Sequence, residues 1–171
     1  LPESKKFVIV AAPHTSNWDL PLLVFMAWQF GLHVHWLGKH TLFPWPIGWF
    51  MRLMGGISVD RRARHNVVQQ VVDVFDKAET LVLAVPPEGT RGRAEYWKSG
   101  FYHIAAGARI PLVLGFLDYG KKEGGFGPSL IPGGDQEADL QVMRDFYRDI
   151  KGKHPECFGP IEFRPQVVET P

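Results

Sequence analysis

Short runs of branched apolar residues, KFVIVAA at 6–12, TLVLAV at 80–85 and PLVLGFL at 111–117, are separated by segments of helical periodicity. Apolar runs of this length without polar alternation fit strands buried on both faces. A chain that alternates such strands with helices can bury them in few ways, chiefly a parallel sheet covered by helices on both sides. Residues 33–37 and 57–60 read as two further strands. Helices are predicted over 20–30, 65–77, 101–108 and 138–150. In 65–77, Val67, Val68, Val71, Val72 and Phe75 recur on one face. In 138–150, Leu140, Met143, Phe146, Tyr147 and Ile150 do the same. Thr15, Ser16 and Asn17 offer N-caps for the first helix, and Gly31 closes it. Residues 42–54, broken by Pro44, Pro46 and Gly48, read as a loop with a short helix. The glycine-rich stretch 120–134 reads as a hairpin or loop, and the tail from Pro155 as irregular with one edge strand near 161–163.

The fold class expected is therefore α/β: a single domain over 1–171, with a mostly parallel central sheet and helices on both faces. A length of 171 residues, 45% hydrophobic and 22% charged, supports one core and excludes disordered, collagen-like and coiled-coil classes. The single cysteine, Cys157, excludes a disulfide scaffold and a cysteine-built zinc site, and reads as a structural thiol. No run approaches the roughly 18 apolar residues of a spanning helix, and residues 1–6 do not resemble a signal peptide. The expectation is a cytoplasmic protein, peripheral on the inner face of the cell membrane.

Net charge is +1, and no basic stripe exists for nucleic acid, which is discarded as a partner. Charge is unevenly spread, however. Residues 1–65 carry seven Lys/Arg against three Asp/Glu, with five of the seven histidines and five of the six tryptophans. This third of the chain is either core-forming or a surface that meets an anionic, apolar partner. The stretch Trp36, Phe43, Trp45, Trp49, Phe50, Met51 and Met54 reads as a mixture of core packing and interfacial contact with a membrane.

In sheets of this kind, ligands collect at the carboxyl ends of strands. Two polar clusters fall there: PHTSNWD after the first strand and PPEGTRGR after the run at 80–85. Across a strand-to-helix turn, His14 and Asp19 can come within hydrogen-bond reach, and a carboxylate-held imidazole is a competent general base. The alternative is a capping Asp beside an exposed loop His. Ser16 reads as a loop-fixing or capping hydroxyl, since the sequence lacks the G-x-S-x-G elbow. Gly89 in the second cluster permits a turn that exposes backbone N–H groups, and Arg91 and Lys98 add cations near it. Lys39, Arg61 and Arg62 add positive charge from other loops. Together these suggest a pocket for a phosphate-sized anion, against the alternative of solvated surface charges, the reading kept for Arg62, Arg64 and Arg93. Glu88 is either a salt-bridge partner of Arg91 or an acceptor for a substrate hydroxyl. His33 and His35, with His40 nearby, lack a carboxylate or thiolate at ligand spacing, so no metal is expected.

Taken in order, the motifs resemble the glycerolipid acyltransferase superfamily, typified by 1-acylglycerol-3-phosphate acyltransferases. The H-x-x-x-x-D block stands at His14–Asp19. The second block runs from Gly38-Lys39 through Phe43-Pro44 and Gly48 to Gly56-Ile57-Ser58-Val59-Asp60-Arg61. The E-G-T-R block is Glu88-Gly89-Thr90-Arg91, followed by Lys98-Ser99-Gly100, and Ile110-Pro111 matches the fourth. The resemblance covers about residues 7–117; Pro13 stands where much of the family has a polar residue. It implies that His14, oriented by Asp19, deprotonates an acceptor hydroxyl, which attacks an acyl thioester without a covalent acyl-enzyme. It implies that Glu88, Gly89, Thr90 and Arg91 hold the acceptor, with Arg91 on its phosphate and Lys39, Arg61 and Lys98 in lesser roles. The oxyanion would be held by backbone N–H groups near the histidine turn or by water. The donor would be acyl-CoA or acyl-acyl carrier protein as co-substrate, with no other cofactor, and the acceptor a lysophospholipid such as 1-acylglycerol-3-phosphate at a membrane surface. Two rivals use the same residues: a thioesterase or lipase-like hydrolase that passes the acyl group to water, and a non-catalytic peripheral lipid-binding module.

Overall fold

The computed structural model describes residues 1–59 and 64–165. Its sheet has six strands: β1 (Lys6–Ala11), β2 (Val34–Lys39), β3 (Gly56–Val59), β4 (Leu81–Val85), β5 (Leu112–Asp118) and β6 (Glu123–Leu130). The spatial order is β3-β2-β4-β1-β5-β6, all parallel except β6, which returns antiparallel to β5. The helices are α1 (Asp19–Gln29), α2 (Ile47–Leu53), α3 (Arg64–Lys77), α4 (Gly100–Ala108) and α5 (Gln136–Tyr147). The α/β class and mostly parallel sheet expected from the apolar runs are thus observed.

Alternation along β1 sends its side chains into two cores. Phe7 and Ile9 pack with Leu23 and Ala27 of α1 and with Val82, Ala84 and Val113. Val8 and Val10 pack on the other face with Val71 and Phe75 of α3, Phe101 and Ile104 of α4, and Leu140 and Met143 of α5. β1 therefore has helices on both sides and strands on both edges, the environment that a run such as FVIV requires.

Two expectations change, and one open alternative resolves. The first helix has Trp18 at its N-cap position, with no side-chain cap. The polar residues before it are engaged elsewhere. Ser16 Oγ accepts from the Trp18 N–H at 3.2 Å, Thr15 Oγ1 accepts from the His154 N–H at 3.2 Å, and Asn17 Oδ1 accepts from Arg91. Gly31 does close the helix, at φ 70°: its N–H donates to Trp28 O and that of Leu32 to Ala27 O. The glycine-rich 120–134 stretch forms a hairpin whose return strand is β6. Its glycines admit a neighbour, since a Cβ on Gly127 would stand 3.0 Å from Phe146 Cδ2 of α5. The edge strand near 161–163 reduces to a single parallel bridge between Trp97 and Phe163. Glu162 O accepts from the Trp97 N–H at 2.7 Å within that bridge, while Ile161 O is taken by Arg144 Nε at 3.0 Å.

The aromatic stretch divides. Phe43 stacks on Trp36 at 6.2 Å and fits against Gly38 and Gly56, where a Cβ would stand 2.7 and 3.0 Å from its ring. Trp45 and Trp49 point outward, 91% and 69% exposed, with Phe50 and Leu53 beside them. Phe25, Trp28 and Phe30 are likewise exposed at the outer side of α1. No helix among the described residues is long and apolar enough to cross a membrane.

Candidate active site

β1 and β4 are parallel neighbours, with Val10 level with Val85, so the loops that follow them emerge at one edge. The chain leaves β1 for α1 on one face and leaves β4 for α4 on the other. This divergence opens a crevice between the two strand ends. It is a cleft of about 1320 Å³, lined by His14, Asp19, Gly89, Thr90, Arg91 and Lys98 at its polar part and by residues such as Leu23, Leu37, Val68, Ile104 and Phe116 elsewhere.

The turn after β1 begins at the cis Ala12–Pro13 peptide. His14 follows, half-buried, with Nδ1 3.3 Å from Asp19 Oδ2. Asp19 is 5% exposed and well supplied with donors. Its Oδ2 accepts from the N–H groups of Thr15 and Ser16, both at 2.8 Å, and its Oδ1 accepts from the Tyr119 hydroxyl at 2.8 Å. Burial alone would raise the Asp19 pKa. The bonds from His14, Tyr119, Ser16 and Thr15 outweigh it and hold the carboxyl below its ordinary 3.8. A carboxylate that stays ionised at Nδ1 fixes the imidazole tautomer and leaves Nε2 as the proton-accepting atom.

Glu88 differs from both readings of the sequence. It is 3% exposed and absent from the lining of the cleft, so it meets neither Arg91 nor a substrate hydroxyl there. Its Oε1 accepts from the His14 N–H at 3.0 Å, while its Oε2 has no hydrogen-bond partner among the described residues. Burial pushes its pKa up, against the pull of the His14 N–H. The hydrophobic strand end delivers this side chain inward, toward the backbone of the histidine turn.

Gly89 stands at φ 63°, a left-handed conformation that glycine adopts without strain. Lys98 lies across it: a Cβ on Gly89 would stand 2.7 Å from Lys98 Cε. Arg91 donates to Asn17 Oδ1, which bridges the second loop to the first. Thr90 Oγ1 accepts from the Gly92 N–H at 3.3 Å. Gly89, Thr90, Arg91 and Lys98 therefore line one side of the cleft together. Lys39, exposed at the end of β2, does not line the cleft, although Trp36 and Leu37 of the same strand do. Arg61 and Arg62 lie outside the described residues.

The oxyanion donors expected at the histidine turn are otherwise engaged, since the N–H groups of His14, Thr15 and Ser16 all donate to Glu88 or Asp19. Among the described residues no cluster of His, Cys, Asp and Glu has the makings of a metal site. His33 and His35 meet edge-to-face at 4.9 Å. Cys157 is half-buried in a short 3-10 turn away from the cleft. Two residues at the site escaped sequence reading in these roles. Asn17 offers only a helix cap in sequence, and Tyr119, just past the last motif, carries one signal: it follows β5 at the same sheet edge.

A family model described as Acyltransferase matches residues 1–113. The crystal structure of the 1-acyl-sn-glycerophosphate (LPA) acyltransferase PlsC from Thermotoga maritima aligns with a TM-score of 0.58 at 20% identity. The alignment covers 85% of this chain and 64% of that one, and at this identity the likeness is one of fold. No curated protein matches.

Proposed function

The chain belongs to the acyltransferase family, and from that premise we propose that it moves a fatty acyl group from an acyl thioester to a hydroxyl of a lysophospholipid such as 1-acylglycerol-3-phosphate. The observation that carries this reading is the shared cleft: His14 and Asp19 line the same cavity as Gly89, Thr90, Arg91 and Lys98. A base and an anion cradle in one cavity suit an acceptor that carries both a hydroxyl and a phosphate.

In this reading, His14 Nε2 takes the proton of the acceptor hydroxyl as its oxygen bonds to the thioester carbonyl carbon. The tetrahedral intermediate collapses, the carbon–sulfur bond breaks, and the imidazolium returns its proton to the leaving thiolate. Asp19 stabilises the imidazolium without itself being protonated. Arg91, a planar bidentate donor, and Lys98 hold the phosphate. The apolar part of the cleft takes the acyl chain. The thioester, from acyl-CoA or acyl-acyl carrier protein, is the only co-substrate required. The outward aromatics of α1 and α2 would rest on the membrane that supplies the lipid, with Trp at headgroup depth.

A labelled acyl thioester offered to a panel of lysolipids, with products read by mass spectrometry, tests the reading. Acylated lysophospholipid is the expected product. His14→Ala is expected to lower its formation by roughly 10²–10⁴-fold in a protein that remains folded. Arg91→Ala is expected to raise the acceptor KM more than it lowers kcat. Free fatty acid as sole product, indifferent to acceptor, would assign a hydrolase instead. Vesicle binding without any turnover would leave a lipid-binding module.

A further inference from the structure

We propose that Tyr119 is a positioning residue for the His14–Asp19 pair, its hydroxyl locking the Asp19 carboxylate in the plane that the imidazole requires. The proposal rests on the acyl-transfer reading above.

Asp19 divides its donors unequally. Oδ2 accepts from two backbone N–H groups at 2.8 Å and lies 3.3 Å from His14 Nδ1. Oδ1 has one partner among the described residues, the Tyr119 hydroxyl at 2.8 Å. A carboxylate held at one oxygen can swing about its terminal torsion, which is broad for Asp. Held at both oxygens, it cannot. Tyr119 is itself well anchored at the start of the β5–β6 turn. Its N–H donates to Lys151 O at 2.9 Å, and Asp118 Oδ1 accepts from the N–H groups of Gly120 and Lys121 at 2.9 and 3.1 Å. Tyr119 does not line the cleft, so its effect on a substrate passes through Asp19. Burial and the Asp19 charge raise its pKa, which keeps the phenol a donor at neutral pH. The residue also lies beyond the span 1–113 that the family model matches. The other ionisable groups facing Asp19 are His14 and Glu88.

Tyr119→Phe keeps the ring and removes the hydroxyl. It is expected to lower kcat on the order of 10- to 100-fold, with KM for both substrates within about twofold. In an Asp19→Asn background the same change is expected to lower kcat by less than about threefold, because residues acting as a unit are non-additive. A ¹³C NMR titration of the Asp19 carboxyl carbon, read without substrate, is expected to show its midpoint moving upward in Tyr119→Phe. Incorporation of 3-fluorotyrosine at 119 retains a stronger donor and is expected to preserve turnover while moving the midpoint downward. Wild-type kcat in Tyr119→Phe, equal losses in both backgrounds, or a midpoint unmoved by either substitution would overturn the proposal. Full activity in Asp19→Asn would instead overturn the dyad itself, and this proposal with it, so the two failures are told apart.

Discussion

At the scale of single residues, two buried carboxylates flank the histidine turn with opposite tendencies. Asp19 is held below its ordinary 3.8. The stability it contributes is present above that value and is lost as pH falls through the lowered one. Glu88 is raised above its ordinary 4.5 by burial. Its contribution is full below 4.5 and declines as pH rises through the raised value. The Tm of Glu88→Gln minus that of the wild type is therefore expected to grow with pH from about 4 upward and then level off. A difference independent of pH, measured by thermal melts across that range, would show that Glu88 ionises freely. The sequence marked Glu88 as part of the site, yet not its direction. A strand-end glutamate beside Arg91 in sequence suggests an ion pair. The fold turns it inward instead and gives Arg91 to Asn17, a choice set by backbone geometry that local composition does not encode.

Among the elements, helices and strands with an apolar period lay close to where periodicity put them, because burial on one or both faces dictates the period directly. β6 was legible only as a hairpin or loop. Its glycines erase the alternation, and their reason lies in Phe146 of α5, an element further along the chain. The start of α1 differs from the expectation because two of its three capping candidates, Thr15 and Asn17, serve as long-range connectors, while Ser16 holds the Trp18 N–H two residues on. The outward faces of α1 and α2 carry Trp28, 74% exposed, and Trp49, 69% exposed. Apolar area on this scale is a liability in water unless a surface covers it. Replacing Trp28 and Trp49 together with Ser is expected to weaken co-sedimentation with anionic phospholipid vesicles at least about tenfold. Turnover of a detergent-dispersed acceptor should change little. Unaltered vesicle binding would place the membrane contact elsewhere.

For the molecule as a whole, the fold class was legible because few architectures bury uninterrupted strands on both faces. The convergence of His14 with Arg91 follows from β1 and β4 being neighbours, and the divergence of their connections supplies the cavity. Tyr119 was not legible in this role, since a contact spanning 100 residues depends on the complete sheet and on the hairpin beyond its last parallel strand. Lys39 illustrates the reverse: a cation near a motif in sequence that stays exposed outside the cleft, which its own strand lines through Trp36 and Leu37. The histidine turn also has a bearing on how the protein can be observed. Its three successive amides at 14, 15 and 16 sit in a loop, where deuterium normally enters fast, yet each is tied to a shielded carboxylate. Slow isotope uptake at those amides is therefore expected to report an intact site by mass spectrometry, before any lipid or thioester is added.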